Sequence, residues 1–484
     1  MSVGGGGGGS SSSGSAVYYE TQSVCPQCLL LDRKGTVLCD AQVERREGRV
    51  FLVIRCMEHG EQAQLYCKDP VFFERVIRVG EENQTFERVT AIEDLAGKPA
   101  DPPLAIDLAI FEREGFVPNY ILRQRVDTIH QLFEEHPNRR YVVKILGGVT
   151  DDTDTMNDQI EFVADLLSPR ALIVVELSFE RMMLIASREN SVFLNQRLHP
   201  CVKYYVEKGD ETQAIRELRT CLRELSKISN LRLVVCLGVS RPMPDLSSLL
   251  SFLRDSKGIV PMIILSMERS ASELGAGVMS MKEGCAGTNP DSRKGAPLSL
   301  DPVCLLEEIE RSTGGEIGPA DFFPLSCGSV MEPFIKLFGH GSFCIRPSPL
   351  CGFGTVLFNT EEHRSVPCSR FLNVEELYRQ FKPMLPKLLA KDKIGLFQGR
   401  KIKKSVQQSL IPNSGVPANL FSYFTKASKS EDLHRFVSNS QILIVHNRMD
   451  LVGLDAVRRQ HCAYCSCSEK TASGLSAVCT HGVL

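Results

Sequence analysis

The sequence predicts an α/β protein with an N-terminal metal-binding β-ribbon, a body of six β/α units and a cysteine-rich α+β C-terminal region. Two pairs of metal-ligating residues with the same two-residue gap flank a β-type run near the N-terminus. Beyond them, short β-branched runs alternate with amphipathic helical stretches, and cysteines gather again towards the C-terminus. Alternating strands and helices are typical of parallel sheets, so we expect one large α/β domain with smaller appendages.

Composition and charge limit the classes of partner. The chain has 484 residues, of which 43% are hydrophobic and 24% charged, as is ordinary for a globular protein. Its 56 Lys and Arg residues face 58 Asp and Glu residues, so binding to nucleic acid or to an anionic membrane would have to be local. No apolar run approaches the roughly 20 residues that span a bilayer, and no signal or transit pattern is present. We expect a cytoplasmic protein without a membrane span or a clear nucleic-acid signal, and a protein partner stays open.

The first 75 residues are expected to form a tail and a ribbon. Residues 1–17 are rich in Gly and Ser and have little apolar surface to bury, so they are predicted to be disordered. Residues 18–75 contain the β-type run 49–54 between two short knuckles. Such a small ribbon has little core of its own and would need a staple.

Two matched half-sites predict that this staple is a metal ion. The candidate ligands are Cys25, Cys28, Cys56 and His59. A two-residue gap lets one tight turn direct two side chains at the same ion, and thiolate and imidazole donors suit zinc or a mononuclear iron. Four protein ligands would close the site and make it structural or part of a recognition surface. The alternative is a pair of chance dyads with free thiols, and Cys39 and Cys67 are reserve ligands.

Residues 100–269 are predicted to form the β/α body. The predicted strands are 104–110, 141–146, 171–176, 202–206, 231–237 and 260–266, and the predicted helices are 123–135, 156–167, 179–189, 211–228 and 246–255. Six such units could close part of an eight-stranded barrel or could lie flat as a doubly wound sheet. The residues alone leave both arrangements open.

The remainder of the chain is less regular. Residues 270–300 are rich in Gly, Ser and Lys without periodicity and are expected to form a flexible loop. At the start of residues 301–484, Asp301 and Pro302 suit the N-cap and first position of a helix that the glycine pair 314–315 would end. Further strands are predicted near 355–358 and 441–445, and a further helix at 374–389.

Motifs spread along the chain resemble one enzyme family. In chain order they are Cys25-Pro-Gln-Cys28, the knuckle 55–61, residues 68–73, the segments 307–316 and 321–327, residues 351–355 and 446–450, and the span 462–479. They resemble the radical S-adenosylmethionine enzymes grouped around tetraether lipid synthase and the class D radical methylases. The resemblance implies a partial (β/α)6 barrel, an iron–sulfur cluster and S-adenosylmethionine as cofactors, and methylation or carbon–carbon bond chemistry.

The chain departs from that family at the motif its chemistry requires. The resemblance implies three thiolates in Cys-x3-Cys-x2-Cys after the first strand of the body, but residues 111–120 contain no cysteine, and the spacing occurs nowhere else. Gly147 and Gly148 stand where the family's Gly-Gly-Glu-Pro turn contacts the methionine amino group, but Val149 replaces the carboxylate. We therefore expect no conventional radical initiation, and a plain turn is the simpler interpretation of the glycines.

A second group of cysteines lies near the C-terminus. The resemblance places Cys327, Cys351, Cys462 and Cys479 where that family holds an auxiliary cluster. Four thiolates would hold an iron–sulfur cluster or a zinc ion. Free buried thiols are the alternative, because cysteine is a common core residue.

One basic cluster is marked enough to note. It consists of Arg400, Lys401, Lys403 and Lys404. A solvated face explains such a cluster more simply than a nucleic-acid site does.

The residues support three functional hypotheses. The first is a catalytically degenerate radical-S-adenosylmethionine-like protein that acts as a metal-binding scaffold or interaction component. The second is an active S-adenosylmethionine and iron–sulfur enzyme of methylase or carbon–carbon coupling type that uses the C-terminal cysteines, and the missing motif argues against it. The third is a zinc-ribbon interaction protein whose α/β body presents the ribbon.

Overall fold

The computed structural model describes most of the chain. The described residues are 16–31, 38–80, 88–89, 103–112, 115–137, 139–147, 152–187, 192–195, 197–206, 209–227, 232–239, 244–267, 301–330, 342–343, 347–359, 365–389, 395–411, 440–449, 453–467 and 475–478. Residues 1–15 of the predicted tail and the predicted loop 270–300 lie outside them. The last two residues of the predicted tail, Ala16 and Val17, instead begin a strand. Among the described helices, none combines the length and the apolar content needed to cross a bilayer.

The N-terminal part is a four-stranded antiparallel sheet in the order β1-β2-β3-β4. Its elements are β1 (Ala16–Val24), α1 (Pro26–Leu31), β2 (Leu38–Arg46), β3 (Arg49–Cys56) and β4 (Gly60–Cys67), followed by α2 (Pro70–Gly80). Glu47 and Gly48 join β2 to β3 with φ of 48° and 72°, which a two-residue type I′ turn requires. Strand β3 contains the β-type run predicted at 49–54. Phe72 and Phe73 of α2 belong to the buried core that includes this sheet.

The body contains each predicted strand and helix. Its elements are β5 (Ala105–Ala109), β6 (Phe111–Glu112), β7 (Gly115–Phe116), α3 (Asn119–Glu135), β8 (Arg139–Leu146), α4 (Thr153–Leu166), β9 (Ala171–Ser178), α5 (Phe179–Ala186), a 3-10 turn (Val192–Leu194), β10 (Leu198–Val206), α6 (Glu211–Leu225), β11 (Val234–Val239), α7 (Ser247–Asp255) and β12 (Met262–Met267). Alternate residues of the strands are fully buried, as in β9, where Ile173, Val175 and Leu177 face the core. This period of two explains why the strands were predictable.

The six main strands of the body are parallel and follow one another in sequence order, β5-β8-β9-β10-β11-β12. Consecutive helices from α3 to α7 pack against each other, so they cover one face of the sheet. A doubly wound sheet would reverse its strand order at a switch point and place helices on both faces. The described strands show no such reversal, and their pairing leaves the sheet open.

The C-terminal region adds strands to both edges of this sheet. Its elements are α8 (Pro302–Ser312), β13 (Phe323–Pro324), β14 (Ser342–Phe343), β15 (Gly352–Asn359), β16 (Ser365–Pro367), α9 (Val374–Phe381), α10 (Leu385–Leu389), α11 (Leu396–Ser409), β17 (Ser440–His446), α12 (Ala456–Gln460), β18 (Tyr464–Cys467) and β19 (Leu475–Ala477), with 3-10 turns at Pro319–Asp321, Leu325–Val330 and Cys368–Arg370. β17 pairs in parallel with β12, and β18 pairs in parallel with β5. The predicted C-terminal region thus shares one thirteen-stranded sheet with the body.

The start and end of α8 confirm the predicted helix signals. Asp301 Oδ1 accepts a hydrogen bond of 3.0 Å from the backbone N–H of Val303, and Pro302 occupies the first position. Gly314 and Gly315 have φ of 60° and 82°, which end the helix at little steric cost. Asp301 Oδ2 also accepts a 2.9 Å bond from the backbone N–H of Lys68, so this cap holds the end of the ribbon.

A buried carboxylate joins the ribbon to the body. Asp455 is fully buried and caps α12 by accepting from the backbone N–H of Val457 at 3.1 Å. Its oxygens also accept from the hydroxyls of Tyr19 at 2.7 Å, Thr21 at 2.8 Å and Tyr66 at 2.8 Å. Three donors from two ribbon strands therefore meet one acceptor group of the C-terminal region, and hydrogen bonds to a charged group are the strong ones.

We expect Asp455→Asn to lower the free energy of unfolding by about 1–3 kcal/mol, because the amide nitrogen would face hydroxyl and N–H donors that now meet an oxygen. Chemical denaturation of the full chain measures this. Asp245→Asn is the matched control, since Asp245 is exposed and accepts from the backbone N–H of Ser247, a bond that the amide oxygen of Asn can also accept. Equal losses in the two variants would contradict a special role for Asp455.

Candidate functional site

Two turns of the ribbon carry the predicted metal ligands. Cys25 lies between the end of β1 and the start of α1, and Cys28 lies in the first turn of that helix. Cys56 is the last residue of β3, and His59 directly precedes Gly60, whose φ of 69° suits the tight turn into β4. The two knuckles come from neighbouring ends of the sheet, and their side chains converge on one point.

The distances between these side chains fit a tetrahedral zinc site. His59 Nδ1 lies 3.3 Å from Cys28 Sγ, 3.6 Å from Cys56 Sγ and 3.7 Å from Cys25 Sγ, and Cys28 Sγ lies 3.7 Å from Cys56 Sγ. All four ligand atoms are within 4.8 Å of one another. Zn–S bonds of about 2.3 Å and a Zn–N bond of about 2.0 Å imply separations of about 3.8 Å between sulfurs and about 3.5 Å from sulfur to nitrogen. The donor set therefore suits zinc in number, type and spacing.

The electrostatics of the thiols favour a bound cation. Burial disfavours the thiolate of Cys56, but hydrogen bonds from the backbone N–H groups of His59 and Glu58 outweigh it and lower the pKa to about 6. Burial, together with the neighbouring thiols of Cys56 and Cys25, raises the pKa of Cys28 to about 12. A dication supplies the positive charge that lets all three sulfurs be thiolates, so binding would release protons.

The two reserve cysteines do not join this group. Cys39 is buried on β2 beside the cluster, where burial and the thiol of Cys56 raise its pKa to about 12. The thiol of Cys67 donates to the carbonyl oxygen of Asp69 at 3.3 Å. The group of four ligand atoms forms without either residue.

The predicted C-terminal cluster is not assembled in the part of the chain that the structure describes. Cys327 is buried in the hydrophobic cluster around α9, and the thiol of Cys462 donates to the carbonyl oxygen of Tyr464 at 3.1 Å. Cys351 is half-buried, and its thiol lies near the Arg458 guanidinium. Cys327, Cys351 and Cys462 do not share a group of three ligand atoms within 4.8 Å. Cys479 lies outside the described residues, so the cluster of four stays a prediction.

Gly147 has a packing role. Its N–H donates to the carbonyl oxygen of Glu176 at 3.2 Å, which continues the pairing of β8 with β9. A Cβ on Gly147 would lie 2.3 Å from the side chain of Leu177 and 3.3 Å from the sulfur of Met156, so glycine is needed for close packing. Gly148 lies outside the described residues, and the predicted contact of this pair with a cofactor stays untested.

Three charged side chains on neighbouring strands were missed by sequence reasoning. Asp107 is on β5, Lys144 on β8 and Glu176 on β9, and the Lys144 ammonium lies 3.3 Å from Asp107 Oδ1 and 3.1 Å from Glu176 Oε2. Their neighbours Ile106 and Val143 point into the core that includes the helices, so the three charges lie on the sheet face away from the helices. We call them the sheet-face triad.

The triad is electrostatically coupled. Burial raises the pKa of Asp107, and Lys144 only partly offsets this. Burial acts to lower the pKa of Lys144, but the two carboxylates outweigh it and raise the pKa above its usual range. The signal available in the sequence was one charged residue within each of three otherwise apolar strand runs. A charged residue in a buried strand is costly unless it is paired with an opposite charge.

Comparisons with known proteins identify one part of the chain. Residues 17–68 match the family model described as HMPTM N-terminal zinc ribbon domain. No curated protein matches the chain. One solved structure, "Crystal structure of a putative racemase", shares 7% identity, covers 57% of this chain and 84% of its own, and has a TM-score of 0.23. At that TM-score the likeness carries no argument, so the zinc ribbon, with its Cys3His group, is what the comparisons support.

We expect Cys25→Ser combined with Cys56→Ser to release about one zinc equivalent per chain, because two of four ligands are lost and hydroxyls bind zinc weakly. Metal analysis by mass spectrometry after gel filtration measures this. Cys304→Ser is the matched control, since Cys304 is a half-buried thiol outside the group. Unchanged zinc in the double variant would show that the assigned ligands are wrong.

We expect Lys144→Met to lower the free energy of unfolding by about 3–5 kcal/mol at neutral pH, because Asp107 and Glu176 lose their counter-charge. Without Lys144 the pKa of the Asp107 carboxyl, which burial already raises, rises further. The native state then takes up a proton, and the loss shrinks as the pH falls towards 5. Denaturation at several pH values measures both effects. Lys227→Met, which removes an exposed partner of Glu224, is expected to change stability by less than about 1 kcal/mol. A pH-independent loss for Lys144→Met would contradict this account.

Proposed function

We propose that this chain is a zinc-binding scaffold or interaction component built on a catalytically degenerate radical-S-adenosylmethionine-like architecture. The closed Cys3His group carries the proposal, because a zinc ion with four protein ligands has no open position for a substrate or a reactive water. Zinc would hold the two knuckles of the ribbon together, while the protein's own residues supply the surface that a partner contacts.

The segment after β5 supports the proposal that the chain is catalytically degenerate. Here the resembling family holds the three thiolates of its catalytic cluster, whereas this chain folds the short hairpin of β6 and β7. The rings of Phe111 and Phe116 pack edge to face at 5.2 Å, and Glu112 is bound to Arg125 at 2.7 Å. A hairpin with its own aromatic and ionic contacts replaces a loop that would need to wrap a cluster.

The strand order is consistent with the proposed ancestry. Six parallel strands in sequence order, with helices on one face, are what a partial (β/α)6 barrel would show. We therefore propose that the body is such a partial barrel, extended at its two edges by the C-terminal strands. The zinc ribbon at its front and the missing thiolates fit a protein that keeps the architecture and has lost the radical chemistry.

A second candidate function rests on the sheet-face triad. In β/α barrels the reacting groups lie on or above the strands, and here Lys144 with two carboxylates occupies that face, near Tyr464. Buried, coupled charges are also frequent at active sites. The alternative is therefore an active enzyme, and the resemblance would make it an S-adenosylmethionine and iron–sulfur enzyme that takes cluster ligands from its C-terminal cysteines.

Anaerobic purification of the full chain, followed by metal analysis, visible absorption and an assay for reductive cleavage of S-adenosylmethionine, separates the two candidates. We expect about one zinc per chain, no iron–sulfur chromophore and no deoxyadenosyl product, because the chain lacks the three-thiolate motif. The Cys462→Ser variant serves as the internal comparison and should give the same result. Formation of the deoxyadenosyl product by the wild-type chain, and its loss in Cys462→Ser, would establish the enzyme instead.

A further inference from the structure

Helix α11 turns one face to the protein and the other to solvent. Ile402 and Val406 are fully buried in the hydrophobic cluster that also contains Phe381 of α9. The exposed face consists of Phe397, Arg400, Lys401 and Lys404, with the half-buried Lys403 at its margin. Spacings of three and four residues align these side chains along one side of a helix. We call this set the basic stripe.

The charge of the basic stripe is not balanced locally. α11 contains no acidic residue, and over residues 382–410 eight Lys and Arg residues face a single Asp. Within the described part of the chain, no carboxylate oxygen lies within 4.0 Å of any of the four cations of α11. The whole chain has a net charge of −2, so this stripe is a positive region on an otherwise net negative protein. Clustered cations favour an anionic surface as the occupant.

The aromatic residue of the stripe narrows the choice of surface. Phe397 is 70% exposed in the first turn of α11, and Lys401 Nζ lies 5.0 Å from the centre of its ring. An aromatic ring beside flexible lysines is typical of helices that lie in a membrane interface, where the ring enters the headgroup region and the ammonium groups stay at the phosphates. Three lysines and one arginine suit a diffuse array of charge better than the bidentate readout of nucleic-acid bases.

We propose that α11 docks the protein onto an anionic phospholipid surface through the basic stripe, with the helix parallel to the membrane and its apolar face still packed on the protein. Contact is peripheral, since Ile402 and Val406 remain in the core. Each basic residue near such a surface contributes about fivefold to partitioning, so four cations and one ring give reversible binding that depends on lipid charge and on ionic strength.

Flotation of the full chain with phosphatidylcholine vesicles containing about 30 mol% phosphatidylserine tests the proposal. We expect binding to these vesicles, little binding to pure phosphatidylcholine, and release in about 0.5 M NaCl. Lys401→Gln combined with Lys404→Gln should weaken partitioning about twenty-fivefold. At the lipid concentration where half of the wild type is bound, only about one twenty-fifth of the variant protein should then be bound. Phe397→Ser should weaken binding several-fold while keeping its dependence on lipid charge.

A control with equal charge loss separates the stripe from net charge. Arg223→Gln combined with Lys227→Gln removes two exposed cations at the end of α6, and this variant should float as the wild type does. Circular dichroism melting of each variant verifies folding. Equal binding to neutral and anionic vesicles, equal losses in the two double variants, or binding to single-stranded RNA without binding to anionic vesicles would each overturn the proposal.

Discussion

The buried carboxylate of Asp455 is the interaction on which the arrangement of the molecule depends. It is the acceptor for hydroxyls of β1 and β4, and it also begins α12. α12 leads directly into β18, and β18 pairs with β5, the first strand of the body. One acceptor group thus fixes the position of the ribbon relative to the sheet and the position of the last helix relative to the ribbon.

The metal group follows the same ribbon strand directly. Cys25 follows β1 directly, and Thr21 on β1 reaches Asp455. A small antiparallel sheet orders poorly by its own core, so an ion that clamps its two knuckles also holds the strand that presents the hydroxyls. Zinc would therefore contribute to the docking of the ribbon by holding the end of the strand whose Val24 packs with Leu454 and Ala456.

The sequence predicted those features whose cause is local. The metal group was predictable because the ion itself imposes the two-residue gap between Cys25 and Cys28, and the body strands were predictable because burial imposes a period of two. The addition of β17 and β18 to the edges of the body sheet had no such local signal, because pairing over most of the chain length depends on tertiary packing. The triad was hidden for the same reason. In the sequence, Lys144 is a single polar residue within one strand. Its partners Asp107 and Glu176 become evident only when the order of strands in the sheet is known.

The order of strands in the sheet has a consequence for the biosynthesis of the protein. β5 and β12 are translated well before their outer neighbours β18 and β17. Until then both strands expose unpaired backbone groups, and open strand edges invite pairing with other chains. Completion of the sheet is thus a late, long-range event, of the kind that slows folding and makes nascent chains dependent on protection while the ribosome finishes them.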